Sequence, residues 1–570
     1  MPSVKKKSRR RTEVPSAPLA PTPTPSPGWW QTQAAPFLAA RAFLLAISLI
    51  AVGAFRIVAA YPETGITFDE PGHMACGLQF LAEHVYRYES QHPPLARVMT
   101  ALGPYLDGAR PMGVADQNQE GVAVMYRDSH VLRTLILMRL GVLPFFFLGC
   151  LVVYFWSARF FGKPVAVMAT GLFTLLPPVL AHAGLATTDM ALASCLGLAF
   201  LALLRWAEHP ALPQSLGLGF ATALMVLSKF TALAFFPAAV LLALLAYLAT
   251  RKPGLGEVMA LAKARALPFA LAVATGAVLI WAGYLFSFGK VPGWNVSLPA
   301  PEVFDGVRVA LRHNDRGHLA YLLGNISQDG WWYYFPVVLA VKTPLAFLLL
   351  LAGGIGIGWK QRHNTAYWLP WALSLGILIP AMMGHVNIGV RHILPVYMGF
   401  SITAALALVQ LFAAAQSRIW TGIVAGVLLV WLVFSGARSH PDYVAYFNEF
   451  GGSHPENILV DSDLDWGQDT VRLARWLKAR SITDVSFVTM NLTASRLAAW
   501  PGLPAVRPIL ATSPAEGWTA VSPTILIFNE YGLDHKYPNL KPWFEYIHPV
   551  DRVGSLFLYY IKPGTLPPRS

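Results

Sequence analysis

PFLAARAFLLAISLIAVGAFRIVAAY, residues 36–61, is the stretch that decides the class of fold. With only Arg41 and Arg56 charged, it exceeds the roughly 20 residues an α-helix needs to cross hydrocarbon. It is too long for a signal-peptide core and has no small-residue cleavage site, so it reads as an uncleaved first span. Both arginines lie near its ends, where they can snorkel. Just beyond it stands TFDEPGH, residues 67–73, and about two dozen residues later QHPPLAR, residues 91–97. Two adjacent carboxylates and two histidines therefore sit where the chain leaves a membrane.

The composition agrees. Of 570 residues, 55% are hydrophobic and 13% charged, with a mean hydropathy of +0.48. One soluble core could not bury that much apolar surface, and it comes in long runs. The net charge of +13 includes six positives between Lys5 and Arg11, a pattern suited to a membrane surface, and no nucleic-acid motif accompanies it. Cys76, Cys150 and Cys195 are scattered, which argues against a disulfide framework or a thiolate metal site. Residues 1–35, basic and then rich in Pro, Ser and Thr, are expected to be a disordered cytoplasmic tail.

Further spans are expected near 132–156, 164–182, 187–207, 213–229, 231–250, 266–288, 334–357, 366–384, 392–414 and 419–436, about eleven with the first. Arg159, Lys163, Arg205, Arg251, Lys252, Lys263, Arg265, Lys360, Arg362 and Arg418 fall in loops on one side, which makes that side cytoplasmic. The outer side then receives a first loop over 61–131, a second over 289–333, and a soluble α/β domain over 437–570. The first outer loop is long enough to hold short interfacial helices. In the C-terminal domain, strands are expected at 458–460, 485–490 and 524–528, with a helix over 469–480 capped by Asp469.

Each candidate site residue has a structural alternative. Asp69 can cap a helix starting at Pro71; it can also act as a general base toward an incoming hydroxyl, with Glu70 orienting it or the acceptor. His92 is held by Pro93 and Pro94, and only its pairing with Asp69, Glu70 and His73 lifts it above an ordinary loop histidine. Arg139, Lys229, Lys342, Arg391 and His392 lie near outer ends of spans. Charges there pair, snorkel or line a wet cavity, and a convergence of cations suits a lipid phosphate whose leaving oxygen gains charge. Asp189 opens the fourth span as a cap, or as a partner for Arg139 or Lys229. Asp461, Asp463 and Asp465 resemble a calcium loop, but Trp466 and Arg472 break the pattern, leaving a structural or acceptor-binding role.

The pair FDEPGH and HPPLA resembles the first outer loop of protein O-mannosyltransferases and their bacterial relatives, and the layout is similar to the lipid A aminoarabinose transferase. The resemblance covers roughly residues 36–440. It implies the C-type glycosyltransferase fold, a polyprenyl-phosphate-linked sugar as donor, inverting transfer to a hydroxyl-bearing acceptor, Asp69 as base with Glu70 beside it, and Arg139, Lys229 and Arg391 on the lipid phosphate. No cofactor or metal is implied; the lipid-linked sugar is a substrate. The chain lacks the inserted β-trefoil of the eukaryotic enzymes, so a protein acceptor does not follow, and a bacterial inner membrane is the expected setting. The rival readings are a transporter or flippase of lipid-linked sugars, which favours broken helices in corresponding halves, and a non-catalytic glycan-binding protein.

Overall fold

A computed structural model describes residues 28–127, 130–488, 500–510, 513–536 and 543–566. The basic tract Lys5 to Arg11 lies outside them. The expected tail ends earlier than residue 35, because Trp30–Ala34 form a helical turn anchored by stacking of Trp30 on Phe412 at 5.4 Å.

The chain is a polytopic α-helical membrane protein with a small C-terminal α/β region. Among the described residues, eight helices are long and apolar enough to cross a membrane: Ala42–Glu63, Val131–Phe161, Asp189–Glu208, Ala232–Arg251, Leu255–Gly283, Thr365–Met383, Val396–Ala414 and Ile419–Arg438. Two bent pairs, Lys163–Leu175 with Pro177–Ala183 and Tyr334–Lys342 with Leu345–Lys360, raise the number to ten. The expected span at 213–229 is the shorter apolar helix Leu212–Ser228. Each expected span thus coincides with a helix or a bent pair. Asp189–Glu208 and Val396–Ala414 have 67% of their most apolar window buried and form the centre, whereas Leu255–Gly283 has 11% and faces outward.

The bends have a cause in sequence. Pro177 and Pro344 disfavour a helical residue before them, and Leu176 and Thr343 are extended. The resulting angles are 68° and 117°.

Between the first two spans, residues 64–130 include the helices Glu70–Glu83, Pro94–Leu106 and Gln117–Tyr126. The first two cross so closely that a Cβ on Gly77 would lie 2.1 Å from the Arg97 carbonyl. Residues 284–333 hold the hairpin β1 (Phe288–Lys290) and β2 (Ser297–Pro299), the helix Pro301–Arg316, and the hairpin β3 (Ala320–Leu322) and β4 (Asn325–Ser327).

The C-terminal region carries strands β5 (Asp484–Val488), β6 (Ala505–Pro508), β7 (Gly517–Val521), β8 (Asp551–Val553) and β9 (Leu556–Ile561) in the order β6-β5-β7-β9-β8. β5 runs parallel to β6 and β7, and β9 antiparallel to β7 and β8. Leu473 and Leu477 pack on Val485, Phe487, Ala520 and Leu558.

Three expectations here are corrected. Residues 458–460 form no strand; Ile458 offers its carbonyl to Leu323 beside the β3–β4 turn. Residues 524–528 lie in the helix Pro523–Lys536, where the Ser522 hydroxyl accepts from the Ile525 amide at 3.3 Å and Pro is at the first turn, start signals that outweigh the apolar run. Asp469 precedes Thr470–Ala479 without capping it; its carboxylate accepts from Ser555 and Arg472. The β5 expectation holds to residue 488, and residues 489 and 490 lie outside the described set.

Candidate active site

The TFDEPGH stretch is held from the far end of the chain. The Gly65 amide donates to the Gln468 carbonyl at 2.7 Å and the Phe68 amide to the Trp466 carbonyl at 3.0 Å. This short inlay fixes the residues before helix Glu70–Glu83. Asp69 occupies the position preceding that helix but makes no capping bond. Its carboxylate accepts from the Arg391 guanidinium at 2.7 Å, and 28% of the side chain stays accessible. Arg391 also donates to the Ile388 carbonyl and lies over the Trp466 ring at 4.2 Å.

Burial pushes the Asp69 carboxyl up, but Arg391, followed by His73 and His92, outweighs it and holds the group below its ordinary value. Asp69 is therefore ionised and paired with a cation that can itself take an anion.

Glu70 points away from this opening. It is fully buried and paired with Arg139, with one oxygen 2.8 Å from Arg139 Nε and 2.9 Å from the Ala186 amide. The other accepts from the Thr67 amide and Arg139 Nη2, each at 2.9 Å. The remaining Arg139 donors go to the Thr64 carbonyl and hydroxyl and to the Gly65 carbonyl. All five guanidinium N–H groups thus have protein acceptors.

A second network backs the opposite side. His73 and His92 meet edge to face at 5.4 Å. Arg97 donates to His73 Nδ1 at 3.1 Å, to the Tyr86 hydroxyl at 3.0 Å and to the Glu89 carboxylate, and Glu89 is 3.1 Å from His92 Nδ1. His73 is pushed down to about 3 by burial, with Arg97 and His92 adding to the effect. Burial raises the Glu89 carboxyl, but His92 and Arg97 overcome it and hold the group well below the carboxylate range.

The other expected cations divide. Lys229 pairs with Asp189 at 2.7 Å, and both lie in electrostatic reach of His392. His392 sits between Phe235 and Phe335, each 5.7 Å away. Lys342 is instead used inside the protein: it donates to the carbonyls of Val444 at 2.8 Å and Asp463 at 2.5 Å. Asp189 lies in electrostatic reach of Arg391, and Lys229 of His92, so Asp69, Arg391, His73, His92, Lys229, Asp189 and His392 form one electrostatically linked group, while the Glu70–Arg139 pair and Lys342 are bonded internally.

Sequence reasoning missed Trp466, Arg97, Glu89 and His182. His182 is 1% exposed, its ring is 6.5 Å from Trp466, and its Nδ1 has no hydrogen-bond partner among the described residues. The run ESQHPPLAR, residues 89–97, held the signal for Glu89 and Arg97 in its ionisable spacing. Trp466 is distant in sequence and carried none. Among the described residues no three His, Cys, Asp or Glu side chains converge as metal ligands.

In sequence, no curated protein matches the chain significantly. In structure it is similar to ArnT from Cupriavidus metallidurans solved bound to undecaprenyl phosphate, at 15% identity over 93% of this chain and 100% of that one, with a TM-score of 0.49. It is similar also to the oligosaccharyltransferase of Archaeoglobus fulgidus solved tethered to an acceptor peptide, at 13% identity over 71% of this chain and 54% of that one, with a TM-score of 0.48. The profile of the dolichyl-phosphate-mannose-protein mannosyltransferase family matches residues 136–281, a segment that stops short of both Asp69 and Arg391.

Proposed function

We propose that the chain is an inverting glycosyltransferase of the C-type fold that moves a sugar from a polyprenyl-phosphate donor to a hydroxyl acceptor on the outer face of a membrane. One observation carries this reading: an ionised, partly accessible Asp69 is paired at 2.7 Å with Arg391 where the first outer loop meets the tenth span. The profile match over 136–281 supports it.

The chemistry follows from the charges. The donor is a phosphodiester and already activated. Its phosphate competes with Asp69 for Arg391, and losing that cation raises the basicity of Asp69. Asp69 then takes the acceptor proton as the hydroxyl oxygen bonds to the anomeric carbon. The opposite bond, from that carbon to the phosphate oxygen, breaks and its electron pair goes to the phosphate, so the configuration inverts. Arg391 and Lys229 stabilise the leaving phosphate. Glu70 and Arg139, with every bond used internally, act by fixing the residue next to Asp69. His73 and His92 wall the acceptor side. In this reading the setting is a bacterial inner membrane, with the N-terminus cytoplasmic and residues 437–570 periplasmic.

The two bent helix pairs are the feature that favours the rival, a transporter or flippase of lipid-linked sugars. Release of polyprenyl phosphate from a labelled polyprenyl-phosphate sugar, compared between wild type and Asp69→Asn, separates the readings. Loss of release in the variant is expected; equal release rejects the base, and lipid movement without acceptor supports the rival.

A further inference from the structure

The three aspartates of the turn at 461–465 have different fates. Asp463 accepts from the Val390 amide at 3.0 Å, and its carbonyl takes Lys342. It also fills the space a side chain at Gly389 would need, 2.7 Å from the Cβ position. Asp465 is bonded to the Ser522 hydroxyl, and its carbonyl accepts from Thr524 at 3.0 Å. Both are buried.

Asp461 differs. Unlike the other two it is partly exposed, and its carboxylate is bonded to the Ser462 backbone with no side-chain hydrogen bond among the described residues. Its backbone is left-handed at φ 58°, a conformation that costs a non-glycine residue energy. It is kept there by its own amide, which donates to Thr524 Oγ1 at 2.9 Å, and by the next residue, Ser462, whose hydroxyl donates to the Ile388 carbonyl at 2.8 Å. That same carbonyl receives Arg391 Nε. Arg391 therefore stands with Asp69 in contact on one side and Asp461 in electrostatic reach.

A second carboxylate near a phosphate-binding arginine weakens anion binding, and it does so unequally. The donor phosphodiester carries one negative charge. Once the bond to the sugar has broken, the lipid phosphate is a monoester whose second pKa is about 6, and near pH 8 it carries almost two. Resting on the transfer proposed above, we infer that Asp461 is a positioning residue that makes the phosphate site prefer the singly charged diester of the donor to the doubly charged monoester of the product, and so promotes release of the spent lipid. The C-terminal region thereby supplies a specificity-determining group as well as the Trp466 ring against which Arg391 lies.

Binding alone tests this. Full-length protein at pH 8 is titrated with undecaprenyl phosphate, a monoester, and with its methyl diester. In Asp461→Asn the ratio of monoester to diester affinity rises roughly tenfold, the effect of one unscreened charge acting on the additional phosphate charge. Asp461→Gly, which removes the left-handed strain, gives the same shift with no loss of Tm. These substitutions leave in place Arg391, Asp69, Asp463 and Tyr334, the other charged or titratable groups facing Asp461. An unchanged ratio in both variants overturns this inference and leaves transfer standing. Binding of neither probe by the wild type overturns both. Normal binding ratios without release of polyprenyl phosphate from a labelled donor count against transfer and, with it, the release role.

Discussion

Glu70 and Arg139 meet in a two-pronged ion pair at 2.8 and 2.9 Å, with both side chains closed off from solvent. Removing one partner strands the other charge in a low-dielectric interior, which typically costs about 3–5 kcal/mol. Glu70→Gln and Arg139→Leu are each expected to lower the thermal midpoint of the purified protein sharply. The double variant loses much less than the sum of the two. Additive losses in that double-mutant cycle contradict the pairing.

Asp69 and Arg391 predict a different pattern. On the transfer proposed above, Asp69→Asn removes the base, and release of polyprenyl phosphate falls on the order of 10²–10⁴-fold. It also frees the Arg391 guanidinium, so undecaprenyl phosphate binds more tightly than to wild type. Titration of the variant with that lipid reads the second effect; weaker binding than wild type breaks the link between the two residues.

His73 predicts a pH dependence of stability. Its folded pKa is lowered to about 3, so below the unfolded value of roughly 6.5 the unfolded chain takes up a proton that the folded chain refuses. Its stabilising contribution is full above that value and is lost as pH falls toward 3, by up to about 1.4 kcal/mol per pH unit. Thermal midpoints between pH 7 and 5 fall more steeply for wild type than for His73→Gln. Parallel slopes refute the assignment.

Lys342 and Lys229 separate under substitution. Lys342 ties the eighth span to Val444 and Asp463, so Lys342→Met opens the segment after residue 437 to protease and lowers activity as a consequence. Lys229→Met strands the buried Asp189 and lowers the thermal midpoint. It leaves the Val444 and Asp463 contacts in place, so the segment after residue 437 stays protected while binding of undecaprenyl phosphate weakens. Limited proteolysis beside a lipid titration distinguishes them.

Hydropathy made the membrane helices legible, because a helix in lipid must satisfy its backbone internally and be apolar over about 20 residues. The prolines behind both bends were visible too, though the bends themselves were not anticipated. Asp69, His73 and His92 stood out because they crowd one loop. Long-range partners did not: the Arg391 to Asp69 pair spans 322 positions, and no local pattern announces it. Arg139 looked like a phosphate ligand because an arginine in a span demands a partner. Sequence does not reveal that Glu70 and three backbone or hydroxyl acceptors already satisfy it. In the C-terminal region, short apolar runs misled at 458–460 and 524–528, where packing and a serine cap decided the outcome.

The backbone inlay of residues 65–68 against 466–468 has a consequence for biosynthesis. The last membrane helix, Ile419–Arg438, is made before Trp466, so a chain that has just completed it holds Asp69 and Arg391 without the indole shelf and amide clasp that align them. A chain stopped after Arg438 should insert and yet be inert. On the transfer proposed above, lipid-linked donor is then spared wasteful breakdown until the region after residue 437 has docked.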